Sequence, residues 1–248
     1  DRLSNWIYKR ANKIITHNKF SKEIFRAHYK NINTEIDIIP HGNYVPFLKV
    51  KNDKTLSRNY LRIPQEKKVL LFFGMIKKVK GLEVLLQAMK KVIANNSDVF
   101  LVIAGRVWEN DFSIYQKIIN DNNLSDYCLI HNKFIPHEDV DHYYDSADLV
   151  VLPYKRIYQS GVLMMSMSYE KAVIVSDLPP LIEVVEDMKT GFVFESENSE
   201  SLSEKLNRIL LDTNKLEEVR IEGSNHIKSK YDWLEIGKEM KKSYQSIL

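Results

Sequence analysis

The chain has 248 residues, with 36 lysines and arginines against 33 aspartates and glutamates, a net charge of +3. That imbalance makes no electrostatic case for nucleic acid, and no basic patch is interleaved with stacking aromatics. The single cysteine, Cys128, excludes an intramolecular disulfide, no apolar run approaches the length of a membrane span, and the N-terminus lacks the apolar core of a signal peptide, so a cytoplasmic protein is expected.

Residues 1–44 read as the tail piece of something larger. Trp6, Ile7 and Ala11 outline a helix face, Lys13-Ile14-Ile15-Thr16 a short strand, Ser21 the cap of a helix carrying Ile24 and Phe25, and Ile36-Asp37-Ile38-Ile39 a second strand stopped by Pro40. Two short strands make no independent sheet, so partners are expected outside this chain. Arg2, Lys9, Arg10, Lys13, Lys19, Lys22, Arg26 and Lys30 face only Asp1 and Glu23 before residue 31. A solvated helix surface explains them, and peripheral contact with the inner face of an anionic membrane is the alternative, because Trp6 and Tyr8 sit among these charges. A chain that opens at Asp1 inside a folded region is expected to be truncated, processed, or half of a split enzyme.

Residues 45–67, polar and aperiodic with Pro46 and Pro64, read as a linker leading into the next sheet. A regular rhythm follows. Strands are predicted over 69–73, 99–104, 128–131, 149–152 and 172–175, and helices over 82–93, 114–119 and 140–146, with an apolar Met-rich helix from Ser160-Gly161 to Tyr169. Near-continuously apolar strands alternating with helices call for an α/β fold: a doubly wound, Rossmann-like parallel sheet covered on both faces by right-handed crossovers. Beyond Gly191-Phe192-Val193-Phe194 the pattern is helical, near 201–211, 216–229 and 233–247. The expected divisions are 1–44, the linker 45–67, the sheet domain 68–230, and a closing helix 231–248.

In such a sheet ligands sit above the carboxyl ends of the strands, and four loops there carry chemistry. Gly74-Met75-Ile76-Lys77-Lys78-Val79-Lys80-Gly81 allows close backbone approach and directs lysines at negative charge; a solvated turn is the plainer reading. Gly105, in Ala104-Gly105-Arg106, again permits close approach. Phe134 and Ile135, in Lys133-Phe134-Ile135-Pro136, can hold a flat heterocycle or simply pack in the core. Ser160 and Gly161 open a helix whose amides and dipole suit an anion, or Ser160 only caps a core helix. Together, on one edge of one sheet, these features argue for a diphosphate.

The order Ile39-Pro40-His41-Gly42, Phe73-Gly74 to Lys80-Gly81, Val102-Ile103-Ala104-Gly105, Ala147-Asp148 to Leu152-Pro153, Gln159-Ser160-Gly161-Val162, Val173 to Asp177, Glu183, Thr190-Gly191-Phe192 and Tyr231-Asp232-Trp233 resembles the retaining, nucleotide-sugar-dependent glycosyltransferases of GT-B fold with a glycosyltransferase-1 type C-terminal domain. The resemblance spans essentially the whole chain. It implies the C-terminal half of a GT-B fold with a partial N-terminal remnant, 68–230 as the donor domain, and a cell-surface polysaccharide or glycan pathway. A UDP- or GDP-sugar would lie with its diphosphate at Gly74 and the helix starting at Ser160, and its base near Phe134 and Ile135. The implied donor-binding set is Gly74, Lys77, Lys80, Gly105, Phe134, Ile135, Ser160, Gly161, Val162 and Glu183, with no catalytic residue assigned. It also implies no cofactor and no metal, the lysines and helix dipole replacing a divalent cation.

Departures accompany the match. Met75 stands where the family commonly has Arg, with Lys77 as the candidate replacement charge, and the family's paired glutamates fall on Ile157 and Met165. An acceptor-side domain is missing, so hexosyl transfer is expected only when an N-terminal domain or partner chain completes the cleft. A non-catalytic nucleotide-sugar-binding module is the main alternative. A sugar-nucleotide epimerase lacks its acidic pairs and His here, and a redox dinucleotide protein lacks Gly-x-Gly-x-x-Gly after a strand. The base, sugar, acceptor and oligomeric state are not legible in the sequence.

Overall fold

The computed structural model describes residues 2–48, 53–108 and 111–248. Its centre is a six-stranded sheet built from β3 (Lys68–Phe73), β4 (Val99–Ala104), β5 (Cys128–His131), β6 (Leu149–Leu152), β7 (Ala172–Ser176) and β8 (Phe192–Phe194). The strand order is β5-β4-β3-β6-β7-β8, and every pairing is parallel. Both faces are covered, which is why the strands lack polar alternation. Leu70, Leu101, Val151 and Ile174 point to one apolar core, Val69, Leu71, Val102, Val150 and Val173 to the other.

The first core is closed by α4 (Leu82–Asn95) and α9 (Ser199–Leu211), which contribute Leu85, Leu86, Met89, Leu202 and Leu206, all fully buried. The second is closed by α6 (Val140–Ser146), α7 (Gly161–Ser168) and α10 (Thr213–Lys230) through Tyr144, Leu163, Met167 and Ile227. Each such side chain contributes roughly 1.5–3 kcal/mol by leaving water. The helix between β4 and β5 is α5 (Ser113–Asp121), and the four-residue α8 (Pro179–Ile182) follows β7.

The topology fixes where a ligand can lie. From β3 the chain winds outward to β4 and β5, then returns to the other side of β3 as β6. A crevice therefore opens where the winding reverses, above the carboxyl ends of β3 and β6.

The expected linker is partly helical. Residues 49–52 lie outside the described residues, but α3 (Lys54–Leu61) follows, capped by Asp53, whose carboxylate accepts from the amides of Thr55 and Leu56, and ended by Arg62 in the left-handed region at φ 58°. The apolar periodicity missed it because one of its buried side chains is an arginine. Arg58, 3 % exposed, donates from Nε to the Ser146 carbonyl (3.1 Å), from one terminal nitrogen to the Gln65 carbonyl, and from the other to Asp148 Oδ2 (2.9 Å).

In the N-terminal piece α1 (Arg2–Tyr8) buries no residue, and β1 (Lys13–Thr16) pairs in parallel with β2 (Glu35–Ile38) across α2 (Lys19–His28). The last helix, α11 (Trp233–Gln245), returns to this piece. Trp233 Nε1 donates to the Asn43 carbonyl at 2.7 Å, and just beyond the helix Ser246 Oγ accepts from Lys13 Nζ at 2.7 Å.

Candidate functional site

The loops above β3, β4 and β5 are zipped together beyond the ends of the strands. Gly74 N donates to the Ala104 carbonyl (2.9 Å), Ile76 N to the Arg106 carbonyl (2.9 Å), Trp108 N to the Ile76 carbonyl (3.0 Å), Gly105 N to the His131 carbonyl (3.1 Å) and Val107 N to Asn132 Oδ1 (3.0 Å). Two glycines are dictated by this closeness. A β-carbon on Gly105, at φ +147°, would stand 1.9 Å from the Gly74 carbonyl oxygen, and one on Gly81, at φ +65°, 1.9 Å from the Pro153 carbonyl oxygen. Gly81 thus lets the Gly74–Gly81 turn lie directly on the exit of β6, where Lys155 N also donates to the Val79 carbonyl at 2.9 Å.

On the β6 side, α7 starts at the same level. Ser160 is its cap, with Oγ accepting from Leu163 N at 3.1 Å, so the capping reading of Ser160 is correct as far as the hydroxyl goes. The amides of Gly161 and Val162 occupy the first two helical positions, where a helix offers them no carbonyl. The two loops meet: a β-carbon on Gly74 would be 3.2 Å from Val162 Cγ2. The Tyr44 hydroxyl closes the other side, 3.1 Å from the β-carbon position of Gly161.

Charge enters from the turn. Lys80 Nζ lies 3.6 Å from the centroid of the buried Tyr154 ring. Burial, reinforced by the neighbouring Lys77, lowers its pKa to about 8, and the groups that shift it include no carboxylate. Lys77 Nζ lies 5.0 Å from the centroid of the Trp108 ring. Lys155, by contrast, is taken up by Glu83 at 2.5 Å.

Two hollows flank this seam. One, of about 390 Å³, is bordered by Gly74, Gly105, Phe134 and Ile135, together with Met75, Arg106 and Trp108. The other, of about 310 Å³, is bordered by Gln159, Ser160 and Glu183 from the sheet domain and by His17, Lys19 and His41 from the N-terminal piece. The residues singled out in sequence therefore fall into three groups: four around the first hollow, Ser160 and Glu183 at the second, and Lys77, Lys80, Gly161 and Val162 lining neither. Glu183 has a structural engagement there, since its two oxygens accept from the amides of Lys19 and Phe20, each at 3.0 Å, and so close the start of α2.

Trp108 and Met75 were not picked out as site residues. Trp108 sits in an unpatterned stretch after Gly105, where only the pairing of neighbouring loops brings it to the hollow. Ile157 and Met165, at the positions of the family's glutamates, are half-buried and pack on the second core. Among the described residues no cluster of three or more His, Cys, Asp or Glu is arranged to hold a metal ion, and no helix is long and apolar enough to cross a membrane.

Known proteins resemble this chain in sequence and in fold. The family model for glycosyl transferases group 1 matches residues 53–226. Among curated proteins, the chain is 28 % identical over 229 residues to a lipopolysaccharide 1,2-N-acetylglucosaminetransferase of Salmonella typhimurium, covering 89 % of this chain and 58 % of that protein. It is 24 % identical over 213 residues to the capsular polysaccharide biosynthesis glycosyltransferase CapM of Staphylococcus aureus, covering 84 % and 54 %. The chain thus spans little more than half the length of these relatives. Among solved structures, Anabaena HepE in complex with UDP and glucose superposes with a TM-score of 0.87 at 18 % identity, over 99 % of this chain and 66 % of that one. The parallel six-stranded α/β sheet and these neighbours make the fold GT-B in type, and the chain belongs to the glycosyl transferases group 1 family.

Proposed function

We propose that this chain is the donor-binding half of a retaining, nucleotide-sugar-dependent hexosyltransferase of polysaccharide or glycan synthesis. One observation carries the reading: a β-carbon on Gly74 would stand 3.2 Å from Val162 at the start of α7, and Lys80, on the same glycine-bounded turn, is shifted by burial and Lys77 with no carboxylate among the described groups that act on it. A diphosphate between that turn and α7 would accept from the Gly161 and Val162 amides and from Lys80, and would face the positive end of the α7 dipole. The same groups would hold the leaving diphosphate as its charge develops, which is the work a divalent cation does elsewhere, so transfer needs no metal. The base would enter the hollow at Phe134 and Ile135, with Gly105 giving the backbone clearance, and the sugar would point toward Ser160, Glu183 and the N-terminal piece. UDP is the first nucleotide to test, because Anabaena HepE was solved with UDP and with UDP-glucose.

Transfer with retention requires the acceptor hydroxyl on the face of the departing diphosphate. In this reading the rest of an N-terminal domain, or a partner chain, supplies that side, and the chain alone binds donor without turnover. Titration calorimetry with UDP, GDP and ADP tests the binding. Micromolar to millimolar affinity for one of them is expected, and no heat from any at millimolar concentration overturns the proposal.

A second reading, a nucleotide-sugar-binding module without catalysis, has a specific observation in its favour: Ile157 and Met165 are packed on the core and offer a sugar or ribose hydroxyl no acceptor. Donor turnover by the chain completed with its acceptor-side domain separates the two, transfer supporting the enzyme and tight binding without transfer or hydrolysis the module.

A further inference from the structure

Two of the turn's three lysines, Lys77 and Lys80, have different surroundings. Lys80 is drawn in over buried Tyr154, whereas Lys77 is drawn outward over Trp108, a side chain 47 % exposed at the mouth of the 390 Å³ hollow. An indole this exposed would ordinarily be mobile, yet the backbone beneath it is held. Trp108 N donates to Ile76, Val107 bridges in parallel with Ile76, and Val107 N donates to Asn132, so three loops form one platform. Phe134, 75 % exposed, borders the same hollow, as do Gly74, Gly105 and Ile135.

A large aromatic on hydrogen-bonded backbone, with a cation 5.0 Å from its ring centroid and bordering a hollow that the described residues leave open, has the form of a stacking wall. We infer that Trp108 is the base-stacking side chain of this site, with Lys77 as a positioning residue that holds the indole at the hollow rather than a ligand of the diphosphate. The inference rests on the donor reading above and reassigns one of its lysines. Stacking a planar base on the indole buries apolar surface from both partners.

The test uses the chain as it is, with UDP, uridine and inorganic pyrophosphate as probes, read by calorimetry and tryptophan fluorescence. In the unaltered protein UDP and uridine should quench emission and pyrophosphate should not. Trp108→Ala should weaken UDP and uridine about tenfold or more, the scale of one base–aromatic stack, and leave pyrophosphate unchanged. Trp108→Phe should restore most of the affinity while abolishing the quench, because Trp6 and Trp233 lie elsewhere in the fold. Lys77→Gln should shift the emission of Trp108 and weaken uridine as much as UDP, whereas Lys80→Ala should weaken UDP and pyrophosphate and spare uridine. If Trp108→Ala binds UDP and uridine as tightly as the unaltered chain, this inference falls and the donor reading stands. If the unaltered chain binds no UDP, GDP or ADP at all, the donor reading falls and carries this one with it.

Discussion

Gly74 and Val162 face each other across the seam between the two windings of the sheet, so closely that a single added β-carbon at Gly74 would come to 3.2 Å from a Val162 methyl. The contact places the glycine turn after β3 against the first turn of α7, and it makes the size of residue 74 a direct control on the space above the α7 amides. Gly74→Ala, at φ +96°, should cost about 1–2 kcal/mol of stability from the backbone alone and should reduce nucleotide binding beyond detection. Thermal unfolding and calorimetry with UDP, run on the same preparation, check both halves.

Gly105→Ala and Gly81→Ala differ in kind. Their β-carbons would meet main-chain oxygens at 1.9 Å, and a main-chain oxygen cannot give way as the far end of a side chain can. Each substitution should cost more than about 3 kcal/mol, so that soluble yield falls or the unfolding midpoint drops by well over 5 °C. A midpoint within two or three degrees of the unaltered chain would mean that the loops are not tightly zipped.

Binding of a diphosphate should depend on pH through Lys80. Its pKa in the empty site is about 8, against 10.5 for an ordinary lysine, and an adjacent diphosphate would favour the protonated form. Binding should therefore be strongest below pH 8, weaken as pH rises from 8 toward 10, and take up protons in that window, visible as a dependence of the calorimetric heat on buffer ionisation. Stability of the empty protein should move the other way. Between about 8 and 10.5 the unfolded chain holds the Lys80 proton that the folded chain has released, so this group's contribution to stability rises with pH. Lys80→Arg, which does not titrate, should flatten both trends.

Arg58 tests the buried side of α3. Its guanidinium connects α3 to β6 through Asp148, whose Oδ2 also accepts from Val69 N at 2.7 Å on β3. Arg58→Leu leaves a half-buried carboxylate with that amide and the exposed Lys54, and should cost about 3 kcal/mol in denaturant unfolding. An unchanged midpoint would show that α3 contributes little to the sheet domain.

Glu183 ties the N-terminal piece to the sheet domain through the first amides of α2. Glu183→Gln should cost about 1 kcal/mol, typical of a lost cap, and should speed hydrogen exchange at Lys19 and Phe20. If exchange there is unchanged, the carboxylate is not what holds the start of α2.

The sequence alone marked five of the six strands of the sheet domain, β8 excepted, because parallel strands buried on both faces are apolar nearly throughout. The runs 128–131 and 149–152 coincide with β5 and β6, and 140–146 with α6. It also marked Gly74, Gly105, Phe134 and Ile135, since glycines and aromatics just past strand ends lie on one edge of such a sheet. It did not reveal α3, whose interior face carries Arg58 as well as Leu61, so no apolar periodicity announced it. Nor could it say that Glu183 caps a helix begun at Lys19, that Trp108 reaches the hollow through hydrogen bonds to Ile76, or that Lys77 and Lys80 part company. Those are meetings of residues distant along the chain, governed by strand order and loop closeness, and local patterns of hydrophobicity carry no record of which loops become neighbours.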